Sequence, residues 1–356
     1  MQDKINEVIR NSKTDSIFLY AGDAAADVNF YRFSGISKAT HSTGYLILKK
    51  GKRILLTDPL EYGNMRKMRN ISVKEISKPD DMKRFLSAYS GKRIGINCNF
   101  VSVNSMKKIR RLLKGKRFVD VSEHLSKSNE IKTPEEIKKI REACMITSEM
   151  FRHVENMKIA SMREIDVANE LEIIAKRLGC EGFSFPPIIA FGKNSAIPHH
   201  ITGKTRIGKG VLLADIGVTY EGYCSDMTRM FFIGNADDKI KNMYKTVNDA
   251  RKKSIGIAKS GVKANNVFDA ANNMIKTSFG SDMIHGVGHG LGILVHDYPA
   301  GIHGKSDFVL KENMCITIEP GYYKKGFGGV RIEDDLVVKK GKPMLLSKAP
   351  DEIVEV

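Results

Sequence analysis

The sequence predicts a two-domain protein of mixed helices and strands, an α/β (α+β) architecture, and three observations predict it. The 356 residues exceed the usual size of a single domain. Strand-like and helix-like runs alternate over residues 1–127. Beyond them, a plan of two helices, a glycine- and histidine-bearing segment and a carboxylate-bearing hairpin occurs twice in succession. Hydrophobic residues make up 42% of the chain and charged residues 28%, the balance of an ordinary globular protein rather than a disordered one.

In the first domain the strand-like runs are Ser16 to Tyr20, Gly44 to Lys49, Arg53 to Thr57 and Arg93 to Cys98, and the helix-like runs are Pro79 to Ala88 and Asn104 to Leu113. A polar stretch at 126–136 follows and ends in a helix start, with Thr133 as N-cap, Pro134 at the first position and Glu136 completing a capping box. This puts the domain boundary near 128, giving domains 1–127 and 128–356. Ile137, Ile140, Cys144, Phe151 and Val154 then mark one apolar face of a long helix. For the next helix, Ser161 and Glu164 predict a capping box, Ile165, Ala168, Leu171 and Leu178 a buried face, and Gly179 a C-terminal cap. Helical patterns over 238–259 and 265–277 open the second copy of the plan. Residues 134–233 and 238–338 share it, and the pairs Ile165/Val267, Ala168/Ala270 and Ile173/Ile275 echo at a constant offset of 102, as an internal duplication predicts.

The two hairpins carry the chemistry. In VLLADIGVTYEGYCSDMTRMFF, Asp215 falls near the end of one strand and Asp226 near the start of its return partner. In CITIEPGYYKKGFGGVRIEDDLVV, Glu319 and Glu333 stand in the equivalent relation. A lone strand carboxylate usually faces solvent. Four in matched hairpins predict a shared site, where their repulsion has to be offset by cations. Two divalent ions bridged by carboxylates satisfy that need. His289, in HGVGHGLG between glycines that permit close backbone approach, is the candidate nitrogen ligand. The segment does not have the GxGxxG spacing of a dinucleotide loop. His199 in NSAIPHH and His296 in LVHDYP are placed for a substrate clamp, although spacing alone fits a structural role as well.

Other features narrow the class. The net charge of +17 and the basic run MKKIRRLLKGKR at 106–117 raise nucleic-acid binding, but no aromatic RNA motif, zinc knuckle or helix-turn-helix signature accompanies them, so a solvated helix face is expected. No apolar run approaches a membrane span and no secretory pattern opens the chain, so a cytoplasmic location is expected, without a membrane partner. Cys98, Cys144, Cys180, Cys224 and Cys315 are odd in number and scattered, which predicts reduced thiols rather than a disulfide framework or metal cluster.

Taken together, FGKNSAIPHH, ADIGVTYEGYCSDMTRMF, HGVGHGLGILVHDYP, ITIEPGYY and GGVRIED resemble the creatinase/prolidase/methionine-aminopeptidase family of metallopeptidases over residues 128–356. DVNFYRFSGIS at 27–37 is similar to a segment of prolidase and Xaa-Pro aminopeptidase N-terminal domains. The resemblance implies a pita-bread C-terminal fold with pseudo-twofold symmetry, a creatinase-like N-terminal domain, and hydrolysis of the bond before proline by a homodimer. It implies Asp215 on one metal, His289 and Glu319 on the other, and Asp226 and Glu333 bridging both. The oxygen-rich ligands favour Mn²⁺ or Co²⁺ ahead of Zn²⁺ or Fe²⁺. It further implies Glu319 as proton shuttle, His296 on the oxyanion, His199 on substrate and Arg331 organising the site, with Tyr323 in support and Phe183 and Phe185 available to enclose a proline ring. One departure concerns Ala300, which stands where some prolidases carry an arginine for the dipeptide carboxylate. The leading expectation is an Xaa-Pro dipeptidase and the alternative an aminopeptidase acting on longer peptides. A creatinase-like amidohydrolase and a non-catalytic binding member rank behind.

Overall fold

The computed structural model describes every residue except 23–24, 37–43, 235–236, 350–353 and 356, so Ser37, the last residue of the DVNFYRFSGIS segment, lies outside the described residues. The chain divides into two compact units, Met1–Asn129 and Glu130–Val356. Both mix helices and strands.

The first unit is built on one sheet, in the order Ser72–Glu75, Lys52–Thr57, Gly44–Lys49, Ser16–Gly22, Arg93–Ile96, Arg117–Asp120. Strand alternation sorts its side chains. Ile17, Leu19 and Ala21 enter one apolar cluster with Ile5, Phe30 and Phe33, while Phe18 enters another with Leu86, Ile94 and Ile109. Both faces of the sheet are therefore covered.

The segment resembling prolidase N-domains forms the helix Val28–Ser34, stopped by Gly35 in the left-handed region at φ 80°. Its N-cap, Asp27, is buried; Oδ1 accepts from the Asn29 N–H at 2.9 Å, and Oδ2 has no partner. Burial raises the Asp27 carboxyl from 3.8 to about 6. A raised acid stabilises the fold below its unfolded value, and that contribution is lost as pH climbs through about 6. Asp27→Asn keeps the cap acceptor and carries no charge. Relative to the parent, the variant should gain about 1–3 kcal/mol at pH 8 over its standing at pH 4. Urea unfolding at both pH values checks this, and parallel shifts of the two proteins would refute it.

The second unit repeats its plan. Helices Pro134–Asn156 and Glu164–Arg177 precede a sheet in which Gly210–Ile216 lies between Ile188–Phe191 and Met227–Ile233. Helices Asp238–Ile257 and Ala264–Phe279 precede a sheet in which Cys315–Ile318 lies between Gly288–Gly290 and Asp334–Val337. The sequence echo follows the plan without fixing the packing, since Ile275 is buried and Ile173 is exposed.

Pro134–Asn156 begins as its sequence predicts. The Thr133 N–H donates to Glu136 Oε2 at 2.8 Å and the Glu136 N–H to Thr133 Oγ1 at 3.3 Å. The next helix does not. Ser161 takes φ 75°, and the cap carboxylate is Asp166, which accepts the Arg163 N–H at 2.8 Å. Glu164 is instead fully buried and accepts from the Phe191 N–H, Asn194 Nδ2, the Gly203 N–H and the His200 ring. A carboxylate with four donors offered by one loop is better satisfied there than at a helix end.

Candidate metal centre

Hairpin geometry delivers the acids to one place. Asp215 pairs with Thr228 in the ladder between Gly210–Ile216 and Met227–Ile233, and Asp226 immediately precedes the second of these strands. Glu319 immediately follows Cys315–Ile318, and Glu333 immediately precedes Asp334–Val337. The two hairpins are stitched together: the Glu333 N–H donates to Thr228 O at 3.1 Å, and Thr228 Oγ1 donates to Glu333 Oε2 at 2.8 Å.

His289 sits in the short strand Gly288–Gly290. A Cβ on Gly288 would collide with Thr317 O, and one on Gly290 with Pro299 O, so both neighbours have to be glycine for the strand to lie this deep. His289 Nδ1 faces its own chain at Gly290 O, 3.1 Å away. Nε2 points among the acids, 3.5 Å from both Asp226 Oδ2 and Glu319 Oε1. Asp226, His289 and Glu333 each offer a ligand atom within 4.8 Å of the others.

This donor set fits divalent metal. Asp215, Asp226, His289 and Glu333 are all buried, and Asp215 Oδ1 and Glu333 Oε1 have no hydrogen-bond partner. Burial, reinforced by the neighbouring acids, pushes the Asp226 and Glu333 carboxyls well above the usual carboxylate range. Burial also raises Asp215, against the pull of Arg331. Bound dications reverse that preference by favouring the ionised forms.

Arg331 uses its whole guanidinium. It donates to Asp215 Oδ2 at 2.6 Å, Tyr323 Oη at 2.7 Å, Thr228 Oγ1 at 3.1 Å and Pro198 O at 3.3 Å. It therefore fixes the first hairpin, the second hairpin and the loop bearing His199 together. Tyr323 joins the same network, its phenol pushed up to about 12, chiefly by burial.

The centre opens into a cavity of about 1080 Å³ lined by His199, His285, His289, His296, Glu319 and Arg331 on its polar side, and by Phe185, Pro186, Pro187, Ile188, Ile197, Ile284 and Val295 on its apolar side. The His289 and His296 rings lie 4.2 Å apart, edge to face. Burial, with His289 nearby, lowers the His296 imidazole below its usual value and so favours a neutral ring. Phe183 pairs with Val218 in a small sheet and is not among the lining residues. Ala300 is exposed, and its neighbour Gly301 lines the cavity instead.

Sequence reasoning missed His285. It lies four residues before His289 in the same motif, donates from Nδ1 to Gly286 O at 2.7 Å and accepts from Tyr323 Oη at 3.0 Å. The relay Arg331–Tyr323–His285 assigns its tautomer. Also missed were Thr228 and Asp335; the latter accepts the Asp226 N–H at 3.0 Å, and burial raises its carboxyl to about 7.

The model of metallopeptidase family M24 matches residues 138–340, and that of the creatinase/prolidase N-terminal domain matches residues 2–130. The Xaa-Pro dipeptidase of Pyrococcus horikoshii is 32% identical over 353 residues, covering 99% of this chain and 97% of the relative. Among solved structures, the X-Pro aminopeptidase from Thermotoga maritima superposes with a TM-score of 0.91 at 29% identity, over 98% of this chain and 99% of that one. The prolidase from P. horikoshii gives 0.87 at 31% identity, over 99% of both chains.

Proposed function

This chain belongs to metallopeptidase family M24, and from that premise we propose that it is an Xaa-Pro dipeptidase hydrolysing the bond before proline with two divalent metal ions. The observation that carries the reading is the buried donor cluster of Asp226, His289 and Glu333, flanked by Asp215 and Glu319, at the floor of an apolar-walled cavity. Asp215 and Arg331 hold one side of the centre, Asp226 and Glu333 its middle, His289 and Glu319 the other. Bound metal supplies the positive charge that acidifies a water molecule and polarises the scissile carbonyl.

The remaining work falls to side chains. Glu319, partly exposed to the cavity, takes the proton of the attacking water and delivers it to the leaving proline nitrogen. His296 donates to the oxyanion that forms at the carbonyl, and His199 holds the bound peptide. Mn²⁺ or Co²⁺ suits the oxygen-rich set best, with Zn²⁺ and Fe²⁺ next. A cytoplasmic location belongs to the same reading. No helix among the described residues is long and apolar enough to cross a membrane. Homodimerisation is part of the same reading.

A second reading, an aminopeptidase taking longer peptides, is favoured by one observation: among the described lining residues Arg331 is the sole arginine or lysine, and each of its three guanidinium nitrogens already has a protein partner. Metal-stripped protein resupplied with Mn²⁺, Co²⁺ or Zn²⁺ and given Xaa-Pro dipeptides and Xaa-Pro-Xaa peptides separates the two. We expect metal-dependent cleavage of dipeptides. Equal or faster turnover of the longer peptides would make the chain an aminopeptidase, and no cleavage with any metal would defeat both readings.

A further inference from the structure

A lysine buried in a protein interior is costly unless its charge is met by partners. Lys132 is such a residue, with its side chain 2% exposed. It lies just after the division between the two units and just before the helix Pro134–Asn156. Its backbone N–H donates to Asn313 O at 2.9 Å. Its ammonium donates to Tyr298 O at 2.7 Å and stands 3.8 Å from Asp297 Oδ2.

Asp297 is equally deep, with its side chain 4% exposed, and directly follows His296. Its two oxygens grip the chain on either side of that histidine: Oδ2 accepts the Ile293 N–H at 3.2 Å and Oδ1 the Tyr298 N–H at 2.7 Å. Gly292 leaves room for the pair. A Cβ there would collide with Asp297 Oδ2 and reach 3.0 Å from Lys132 Cε. None of these groups lines the cavity.

We propose that Lys132 and Asp297 are positioning residues that hold the His296 loop in its working geometry, the lysine neutralising and orienting the carboxylate that clamps the backbone around the imidazole. A loop held from both sides keeps an oxyanion donor fixed before the charge appears, which is where preorganisation acts. The pair touches neither substrate nor reacting atoms.

The kinetic test rests on the Xaa-Pro reading; a second readout does not. Lys132→Met, Asp297→Asn and the double variant are made in the full chain, loaded with Mn²⁺ and assayed on a Leu-Pro dipeptide. For Lys132→Met we expect kcat to fall at least about tenfold with KM within about threefold of the parent, the pattern of an interaction realised in the transition state. Bound metal should be unchanged. The double variant should recover at least about threefold over Lys132→Met, because it no longer buries a carboxylate without its cation. A folded Lys132→Met with kcat within about twofold of the parent, or a double variant impaired by the product of the single losses, overturns the proposal. Should Lys132→Met fail to fold, Gly292→Ala displaces the same carboxylate without changing charge and is judged on the same kcat and KM criteria. If the parent cleaves no Xaa-Pro peptide, the functional reading fails on its own, and NMR of histidine-labelled, metal-free protein decides this inference. A His296 signal that shifts on weakening the pair supports it, and an unmoved signal overturns it.

Discussion

Asp226→Asn is expected to lower kcat/KM by more than about a hundredfold, because loss of an outer partner of a metal ligand alone costs about 10–100-fold. The same substitution should have the opposite effect on the metal-free fold. Asp226 is buried beside Asp215, Asp335 and Glu319, and its carboxyl is held well above the normal range, with burial the largest cause. A raised acid contributes stability that is present in acid and lost as pH rises through its folded value. At pH 8 the metal-free parent therefore carries more of this penalty than it does in acid, and the asparagine variant is relieved of Asp226's part of it. Its thermal midpoint without metal should exceed the parent's by about 2–4 °C for each kcal/mol relieved. Added Mn²⁺ should raise the parent's midpoint sharply and the variant's much less. Scanning calorimetry with and without metal reads both signs. A metal-free variant less stable than the metal-free parent at pH 8 would refute the electrostatic account.

The second large effect concerns His296. As an oxyanion donor, its replacement by glutamine should cost about 10²–10³ in kcat, the usual consequence of removing one such donor. KM should stay within a few-fold of the parent, since the ground-state carbonyl gains little from the contact. The ring packs edge to face on His289 at 4.2 Å, so metal content has to be measured alongside. A kcat within fivefold of the parent at full metal occupancy would remove His296 from the reaction.

How far the sequence reveals this site depends on the range of the interactions involved. Hairpin acids are legible because the strand, its turn and its return lie within some twenty residues, and their duplication turns four weak signals into one strong one. The capping box at Thr133 is legible for the same reason, being local. Glu164 is not: its partners at Phe191, Asn194, His200 and Gly203 lie 27 to 39 residues away, and a Ser-x-x-Glu pattern looks the same whether or not the loop is there to compete. His285 sits in plain view in the HGVGHGLG segment, but its role depends on Tyr323, 38 residues on. Lys132 resembles any lysine in a polar stretch until the start of the strand Asp297–Ile302 packs against it, with Tyr298 lying 166 residues later in the chain.

Each half of the second unit supplies two of the four acids, and the halves are joined at that point by Thr228, Glu333, Arg331 and Asp215. Their meeting line is thus lined with buried charge. The arrangement splits the centre evenly, with one hairpin and two acids from each half. It also couples their electrostatics: the acids of each hairpin raise those of the other, so the protonation state of either half is set partly by its counterpart.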